Sequence, residues 1–243
     1  MAARIVRTAI LILSIWVCTA PARADDLADF NAAVEAAEAH NRVALGYLRT
    51  GNTDLAALEL ERLREAWRDV SRRFAGKRPA VFTDTKLYVT LMTDIATQLV
   101  AADLMLNIGR PRVARQALFA VRDDLYKLRK SAGIVVLADC VHDANTAMDA
   151  LMVYNKGKID WGSAPMRDDI ARKADAYDKI LTRCESIAGE DVRKAPEFRR
   201  LVDGARTSLA LVPKAVETRD SNLLHRLLIE LRSLDNLLAF RYG

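Results

Sequence analysis

The sequence predicts an all-α fold of antiparallel helical hairpins, most simply two four-helix bundles in tandem. Three observations predict this class. Glycine and proline are sparse, with 10 and 6 residues among 243, and stretches with the period-two pattern of β-strands are hard to find. Apolar residues instead recur at spacings of three and four, the period of an amphipathic helix. Connectors recur roughly every 50 to 60 residues, which fits hairpins of two helices of roughly 20 to 25 residues each.

The first 24 residues have the three parts of a secretory signal peptide. Arg4 and Arg7 form a basic region, and an apolar stretch occupies residues 9–20. The triplet Ala22-Arg23-Ala24 then has the small-x-small form that signal peptidase accepts. Because the apolar stretch is shorter than the roughly 20 residues that span a bilayer as a helix, this segment predicts export.

Cleavage between Ala24 and Asp25 would release the mature chain into the periplasm. Lipidation of Cys18 is an alternative, although Val17 stands where a lipobox normally has Gly, Ala or Ser. No later apolar run near 18 residues is evident, so the mature chain is expected to be soluble and to lack a transmembrane segment.

The charge of the mature chain excludes nucleic acid as an expected partner. The full sequence has 37 basic and 32 acidic residues, and the leader carries three of the basic residues and no acidic one. The remaining net charge of about +2 is small, and no dense basic run with interleaved aromatic residues occurs.

Residues 55–70 illustrate the helical pattern of the first hairpin. Most glutamate and arginine residues of this stretch fall on one face, as in a surface helix with a single buried stripe. The predicted buried face consists of Leu55, Leu58, Leu63, Ala66, Trp67 and Val70.

Four connectors mark the turns of the predicted hairpins. Ser163 with Pro165, and Asp220 or Ser221, have the residue types that begin helices. The connectors span residues 50–53, 108–111, 156–165 and 218–221. A boundary near residues 130–133 divides the mature chain into a first bundle, 25–131, and a second bundle, 132–243.

Three segments that combine a connector with the following helix resemble one another: residues 49–67, 107–125 and 217–235. In each segment an apolar residue is followed directly by an arginine, at positions 63–64, 121–122 and 231–232. This similarity indicates either an internal duplication or the pattern that amphipathic helices share.

Residues 137–152 combine one cysteine, one histidine and two methionines, which raises the question of a metal or haem site. At about 100° per residue, Cys140 and His142 point to different faces of a helix and cannot easily bind one ion. The residues that share a face with Cys140 are apolar: Ala144, Ala147, Met148 and Leu151. This pattern predicts a core helix.

Cys140 and Cys184 are the two cysteines of the mature chain, and export favours their oxidation. Helices over residues 133–155 and 166–188 would form an antiparallel hairpin. The mean of the two cysteine positions is Gly162, which lies in the loop of that hairpin. We therefore predict an intramolecular disulfide between Cys140 and Cys184.

In architecture, an exported helical bundle resembles the cytochrome c-prime family and the soluble b-type cytochrome bundles. The resemblance extends loosely over either half of the chain and would imply haem between the helices. The attachment signature CxxCH is absent, and Cys140-Val141-His142 has one cysteine and a different spacing. Axial ligands of a b-type haem could be nominated only by elimination, as His225 or Met92. We predict no cofactor.

Two histidines have acidic neighbours without completing a metal motif. Asp139 precedes His142 by three positions, on a face of the helix expected to be solvated. Glu35 and Glu38 precede His40, on a charged flank that is also expected to be solvated. Di-iron bundles need two Glu-x-x-His pairs, which this sequence lacks, so we predict no metal ligands.

The sequence contains no HExxH, P-loop, EF-hand or GxSxG element, and no catalytic pair stands out among its carboxylates. We therefore predict a non-enzymatic periplasmic binding or accessory protein for an unknown protein or small-molecule ligand. A periplasmic haem or metal carrier is the alternative, and an enzyme is a third class. Trp161, in the longest loop, would cap the end of a bundle or anchor a partner.

Overall fold

A computed structural model describes residues 22–243 of the chain, and its side chains from Asp26 onward. Within these residues every regular element is a helix, which confirms the predicted all-α class. Most of the predicted signal peptide lies outside the described residues. The signal peptide and its cleavage between Ala24 and Asp25 stay predictions.

The described chain is a succession of helices joined mostly by short turns. The helices are α1 (Ala22–Thr50), α2 (Thr53–Phe74), α3 (Thr85–Asn107), α4 (Pro111–Ser131), α5 (Leu137–Met152), α6 (Ala164–Ile187), α7 (Glu190–Lys194), α8 (Pro196–Leu209), α9 (Val212–Glu217) and α10 (Ser221–Tyr242). A 3₁₀ turn at Val153–Asn155 follows α5 directly.

The first hydrophobic core lies among α1, α2, α3 and α4. Each of these helices packs against two of the others, in the closed order α1–α2–α3–α4. The aromatic ring of Phe30 meets the rings of Phe74 and Phe82 edge to face, each with centroids 5.2 Å apart. Such a pair contributes about 1 kcal/mol beyond the burial of its area.

The second hydrophobic core lies among α5, α6, α8 and α10. These four helices also form a closed order, because α5 and α8 each pack against both α6 and α10. Met148, Tyr177 and Phe198 are completely buried in it. The buried hydrophobic residues thus form two separate clusters. Independent folding of residues 25–131 and 132–243 stays a prediction.

The segment between α6 and α10 was expected to be one long helix that pairs with α10, and the structure differs from this expectation. It is divided into α7, α8 and α9, and Pro196 and Pro213 lie in the first turns of α8 and α9. Proline fits a first turn, but within a continuous helix it would remove a hydrogen bond and clash with the preceding turn. The expectation of a single long helix is therefore wrong in this segment.

The third residue of each of the three similar segments, 49–67, 107–125 and 217–235, lies in a turn and has the same backbone conformation. Gly51, Gly109 and Arg219 all have positive φ, at 81°, 71° and 53°. Glycine adopts this left-handed conformation without the steric cost that Arg219 bears. Asp220 follows Arg219 and caps α10, because its side chain accepts a hydrogen bond from Leu223 N. The three segments are therefore alike in local structure as well as in sequence.

The buried face of α2 is rotated from the predicted one at its N-terminal end. Leu55 and Leu58 are 38% and 53% exposed, whereas Ala56 and Leu60 are fully buried. The later positions Leu63, Trp67 and Val70 are buried as predicted. Leucine spacing alone misplaced the face, because Ala56 is small enough to lie at the contact with α1.

α3 carries an apolar pattern that the sequence analysis overlooked. It is 23 residues long, and its most apolar 18-residue window has a mean hydropathy of 1.4, so by length and composition it could cross a membrane. One face of α3 packs into the first core through Leu91, Ile95 and Leu99. Only 28% of this window is buried, and Val89, Val100 and Leu104 are more than half exposed.

The predicted cysteine pair is brought together between α5 and α6. The Cα atoms of Cys140 and Cys184 lie 5.4 Å apart, in disulfide-bonding geometry, and both residues are completely buried. Gly162, the midpoint between the two cysteines in sequence, lies in the loop between α5 and α6, as predicted. Cys140 shares its buried face with Ala144, Met148 and Leu151.

Replacement of Cys140 or Cys184 with serine is expected to lower the melting temperature. A cross-link over 44 residues stabilises by about 4 kcal/mol in the chain-entropy model. Far-UV circular dichroism should show unchanged helix content below the transition. Intact-mass analysis after alkylation under denaturing, non-reducing conditions checks the bond itself. Two alkylated thiols in protein isolated from the periplasm would contradict the disulfide.

Candidate functional site

A buried ion triad joins the two cores where α4 ends and α5 begins. The guanidinium group of Arg129 donates to both carboxylate oxygens of Glu38 on α1, at 3.0 and 3.2 Å. It also donates to both carboxylate oxygens of Asp139 on α5, at 2.7 to 3.0 Å. All three residues are at least 94% buried. The expectation that Glu38 and Asp139 are solvated is wrong, because Arg129 pairs with both of them.

The ionisation of the triad is set by burial and by these pairings. Burial alone would lower the pKa of Arg129, but Glu38 and Asp139 outweigh it and raise that pKa. Burial raises the pKa of Asp139, and the hydrogen bonds from Arg129 oppose this shift. The guanidinium group is therefore firmly charged, whereas the raised pKa of Asp139 means that this carboxylate takes up a proton more readily on acidification than an ordinary aspartate.

Further polar side chains bridge α4 and α5 beyond the triad. His142 Nε2 lies 2.9 Å from Asp123 Oδ1, and the imidazole stacks on Tyr126 with ring centroids 4.5 Å apart. The hydroxyl of Tyr126 donates to Asp143 at 2.8 Å. His142 is consequently 25% exposed rather than fully solvated. The polar face of α5 is an interface with α4.

A cavity of about 330 Å³ lies where α1, α4, α5 and α10 meet; we call it the junction cavity. It is lined by Arg42, Leu45, Gly46, Arg49, Arg115, Phe119, Arg122, Asn145, Asp149, Arg232, Asp235, Asn236, Ala239 and Phe240. A groove of about 610 Å³ between α4 and α5 adjoins it. The adjoining groove shares Phe119, Arg122, Asn145 and Asp149 with the cavity.

Two of the five arginines in the cavity wall are neutralised by acidic side chains. Arg232 pairs with Asp149 and with Asp235, the latter at 3.2 Å. Arg42 pairs with Glu35 at 2.6 Å and also donates to the carbonyl oxygen of Gly243.

The other three arginines lack such partners. Within the described residues, no Asp or Glu oxygen lies within 4.0 Å of Arg49, Arg115 or Arg122. The guanidinium group of Arg115 lies over the ring of Phe119, 5.1 Å from its centroid, and its Nε is buried without a hydrogen-bond partner in the described structure. The cavity wall therefore carries an excess of positive charge.

Arg122 is the most deeply buried of these arginines, at 9% exposure. Burial lowers its pKa, against the attraction of Glu38 and other nearby acids. Among the described residues its one hydrogen bond goes from Nη2 to Asn145 Oδ1, at 3.3 Å. Gly243 packs against this Nη2, since a Cβ atom there would lie 2.9 Å from it. Because a guanidinium group has five N–H donors, Arg122 still has unused donors where the cavity and the adjoining groove meet.

Asp235 is a buried residue of the cavity wall, and both of its carboxylate oxygens accept hydrogen bonds from neighbouring side chains. It is 1% exposed, and its Oδ1 accepts from Asn145 at 2.9 Å and from Tyr177 at 3.4 Å. Oδ2 accepts from Arg232. Burial raises the pKa of Asp235 to about 6, although Asn145 and Arg232 favour its charged form.

The remaining wall of the junction cavity is apolar. Phe119 is 37% exposed, and Phe240 packs so closely on α1 that a Cβ atom at Gly46 would lie 2.7 Å from its ring. Gly46 is therefore required for this approach of α10 to α1. Leu45 and Ala239 complete the apolar part. The cavity thus combines cationic and apolar surfaces.

The structure keeps the histidines and methionines considered as ligands apart. His40 pairs with Glu59 at 2.8 Å, Met92 lies in the first core, and His225 is exposed on α10. Within residues 22–243, no three His, Cys, Asp or Glu side chains are gathered as a metal site would require.

Trp161 packs against the second core. Its indole nitrogen donates to the hydroxyl of Ser221 at the start of α10, at 2.8 Å. This is the capping role that the sequence analysis gave as one of two interpretations.

The arginines of the junction cavity were not predicted as a site. Two of them do belong to the repeated apolar–arginine pairs of the sequence. The apolar residue of each apolar–arginine pair is buried: Leu63, Val121 and Leu231. The arginines that follow are Arg64, Arg122 and Arg232. Arg64 on α2 pairs with Asp103 on α3, whereas Arg122 on α4 and Arg232 on α10 both line the junction cavity.

Comparison with protein-family models, curated proteins and solved structures finds no match to this chain. Functional inference therefore depends on the geometry of the site.

Replacement of Asp235 with asparagine should change how stability depends on pH. The raised pKa means that the folded state binds an extra proton between the unfolded value near 3.8 and about pH 6. The free energy of unfolding of the unsubstituted protein should therefore rise, relative to Asp235→Asn, by about 1.4 kcal/mol as the pH falls from 7.5 to 5. Denaturant unfolding at several pH values measures the difference. Parallel pH profiles would contradict it.

Proposed function

We propose that this protein is a non-enzymatic binding or accessory protein of the periplasm and that the junction cavity is its ligand site. The observation that carries the proposal is Arg122, a buried cation that faces a cavity of about 330 Å³ without an acidic side-chain partner in the described residues. Burying an unpaired charge is costly unless something compensates it. A bound ligand would supply that compensation.

The geometry favours binding over catalysis. Asp235 has a pKa of about 6, in the range of a general acid or base. Its oxygens nevertheless accept hydrogen bonds from Asn145, Tyr177 and Arg232, and Asp235 is 1% exposed, which limits its access to a molecule in the cavity. Asp235 therefore acts in this proposal as an orienting group in the wall.

Export to the periplasm is supported by two independent features. The leader has the arrangement of a signal peptide, and Cys140 and Cys184 lie in disulfide-bonding geometry, as expected in an oxidising compartment. The groove between α4 and α5, which adjoins the junction cavity, also suits a protein that binds a ligand between its two cores.

Native mass spectrometry of protein purified from its own periplasm tests the proposal. We expect an adduct that is lost on denaturation. Asn236→Trp should abolish it, because Asn236 lines the junction cavity. Leu237→Trp is the matched control. Leu237 is the next residue in α10, is 37% exposed and does not line the cavity.

Absence of both a ligand adduct and a periplasmic partner, together with a defined enzymatic turnover, would contradict the proposal. An optical spectrum and elemental analysis of the same preparation test the alternative of a haem or metal carrier. A haem band or a stoichiometric metal content would favour that alternative.

A further inference from the structure

We infer that the ligand of the junction cavity is a small amphipathic anion, in which one carboxylate or phosphate group is attached to an apolar body. This inference rests on the proposed function, because it specifies what the proposed site binds. The acidic group would meet the guanidinium groups of Arg115 and Arg122, and the apolar body would lie against Phe119 and Phe240.

The charge of the cavity wall selects for an anion. Five arginines and two aspartates line the cavity, and both aspartates pair with Arg232. Arg49, Arg115 and Arg122 are left without an acidic side chain within 4.0 Å in the described chain. A neutral or cationic ligand would leave their charge uncompensated.

Arginine rather than lysine provides this positive charge, and that favours an oxyanion. The planar guanidinium group presents a fork of N–H donors that matches two oxygens of a carboxylate or a phosphate. Asn145 holds one edge of the Arg122 fork through its Oδ1 and is itself held by Asp235. The orientation of Arg122 is thereby fixed before a ligand arrives.

The apolar part of the wall requires that the ligand be more than a simple ion. Phe119 remains 37% exposed beside the arginines, and Phe240 is pressed against Gly46 on the other side. Covering this apolar surface with an apolar part of a ligand would favour binding. A volume of about 330 Å³ lies at the lower end of ordinary ligand sites, so the apolar body is short.

The two aspartates set a limit on the charge of the ligand. Asp149 is 71% exposed at the cavity edge, and Asp235 is buried in the wall. Each would repel a second acidic group placed near it. A molecule with one acidic head and an apolar tail fits this distribution better than a polyanion.

Isothermal titration with five probes of stated chemistry tests the inference. The probes are n-hexyl phosphate, hexanoate, inorganic phosphate, 1-hexanol and hexylammonium. Hexyl phosphate or hexanoate should bind at least tenfold more tightly than hexanol and hexylammonium. Inorganic phosphate should bind more weakly than hexyl phosphate, because it lacks the apolar body. Comparison of the two amphipathic anions distinguishes a phosphate from a carboxylate head group.

Arg122→Met should weaken binding of the amphipathic anions at least tenfold. The methionine fills most of the buried volume without a charge, so the melting temperature of the free variant should be unchanged or higher. Arg112→Met is the matched control, because Arg112 is exposed on the same helix and does not line the cavity. Phe119→Ala should weaken hexyl phosphate and leave inorganic phosphate unaffected, which separates the two parts of the site.

Three outcomes would overturn the inference. Anion binding that is unchanged in Arg122→Met would place the anion elsewhere. Binding of none of the probes would also count against the ligand class. Tighter binding of hexanol or hexylammonium, abolished by Asn236→Trp but not by Leu237→Trp, would refute the anionic ligand while leaving the junction cavity as the proposed binding site. The native adduct remains the separate test of the proposed function.

Discussion

The arrangement of this molecule depends on one guanidinium group held between two carboxylates. Arg129 comes from the last turn of α4, Glu38 from α1 and Asp139 from the first turn of α5, so the triad links the first core to the beginning of the second. A buried ion pair adds little net stability, because desolvation offsets attraction. Its geometry is nevertheless specific, since a shifted helix would leave a buried charge without its partner.

The polar character of this junction explains why the molecule has two cores instead of one. α4 and α5 face each other through Tyr126, His142, Asp123 and Asp143, which cannot join a hydrophobic cluster without losing their partners. Asp123, Tyr126 and His142 line the groove between the two helices. The junction cavity adjoins this groove, and Arg122 lies in the wall of both.

Features governed by local pattern were predictable from the sequence. Apolar spacing predicted the helices, Asp220 was identified as a helix start, and the symmetry of Cys140 and Cys184 about Gly162 placed them opposite each other. These predictions need only the period of a helix and the length of a turn. Pro196 and Pro213 were visible breakers whose effect on the segment between α6 and α10 was underestimated.

The functional site was much less predictable, because it is formed by residues distant in sequence. Asp139 on a polar helix face has the sequence pattern of a solvated residue, and nothing local indicates that Arg129 and Glu38 cover it. Arg122 and Arg232 stood out only as members of a repeated apolar–arginine pair. Their convergence depends on how α4 and α10 are oriented across the junction, which no spacing within one helix determines.

A distance measurement between helices of the two cores tests most directly the claim that the ion triad fixes their junction. Spin labels on Val89→Cys in α3 and Lys179→Cys in α6, both exposed positions, report that distance by pulsed electron paramagnetic resonance. The comparison is with the same labelled protein carrying Arg129→Met, Glu38→Gln and Asp139→Asn, so that the triad itself leaves no unpaired charge behind. We predict a single narrow distribution with the triad and a broadened or shifted one without it, at unchanged helix content. Identical narrow distributions would contradict the account.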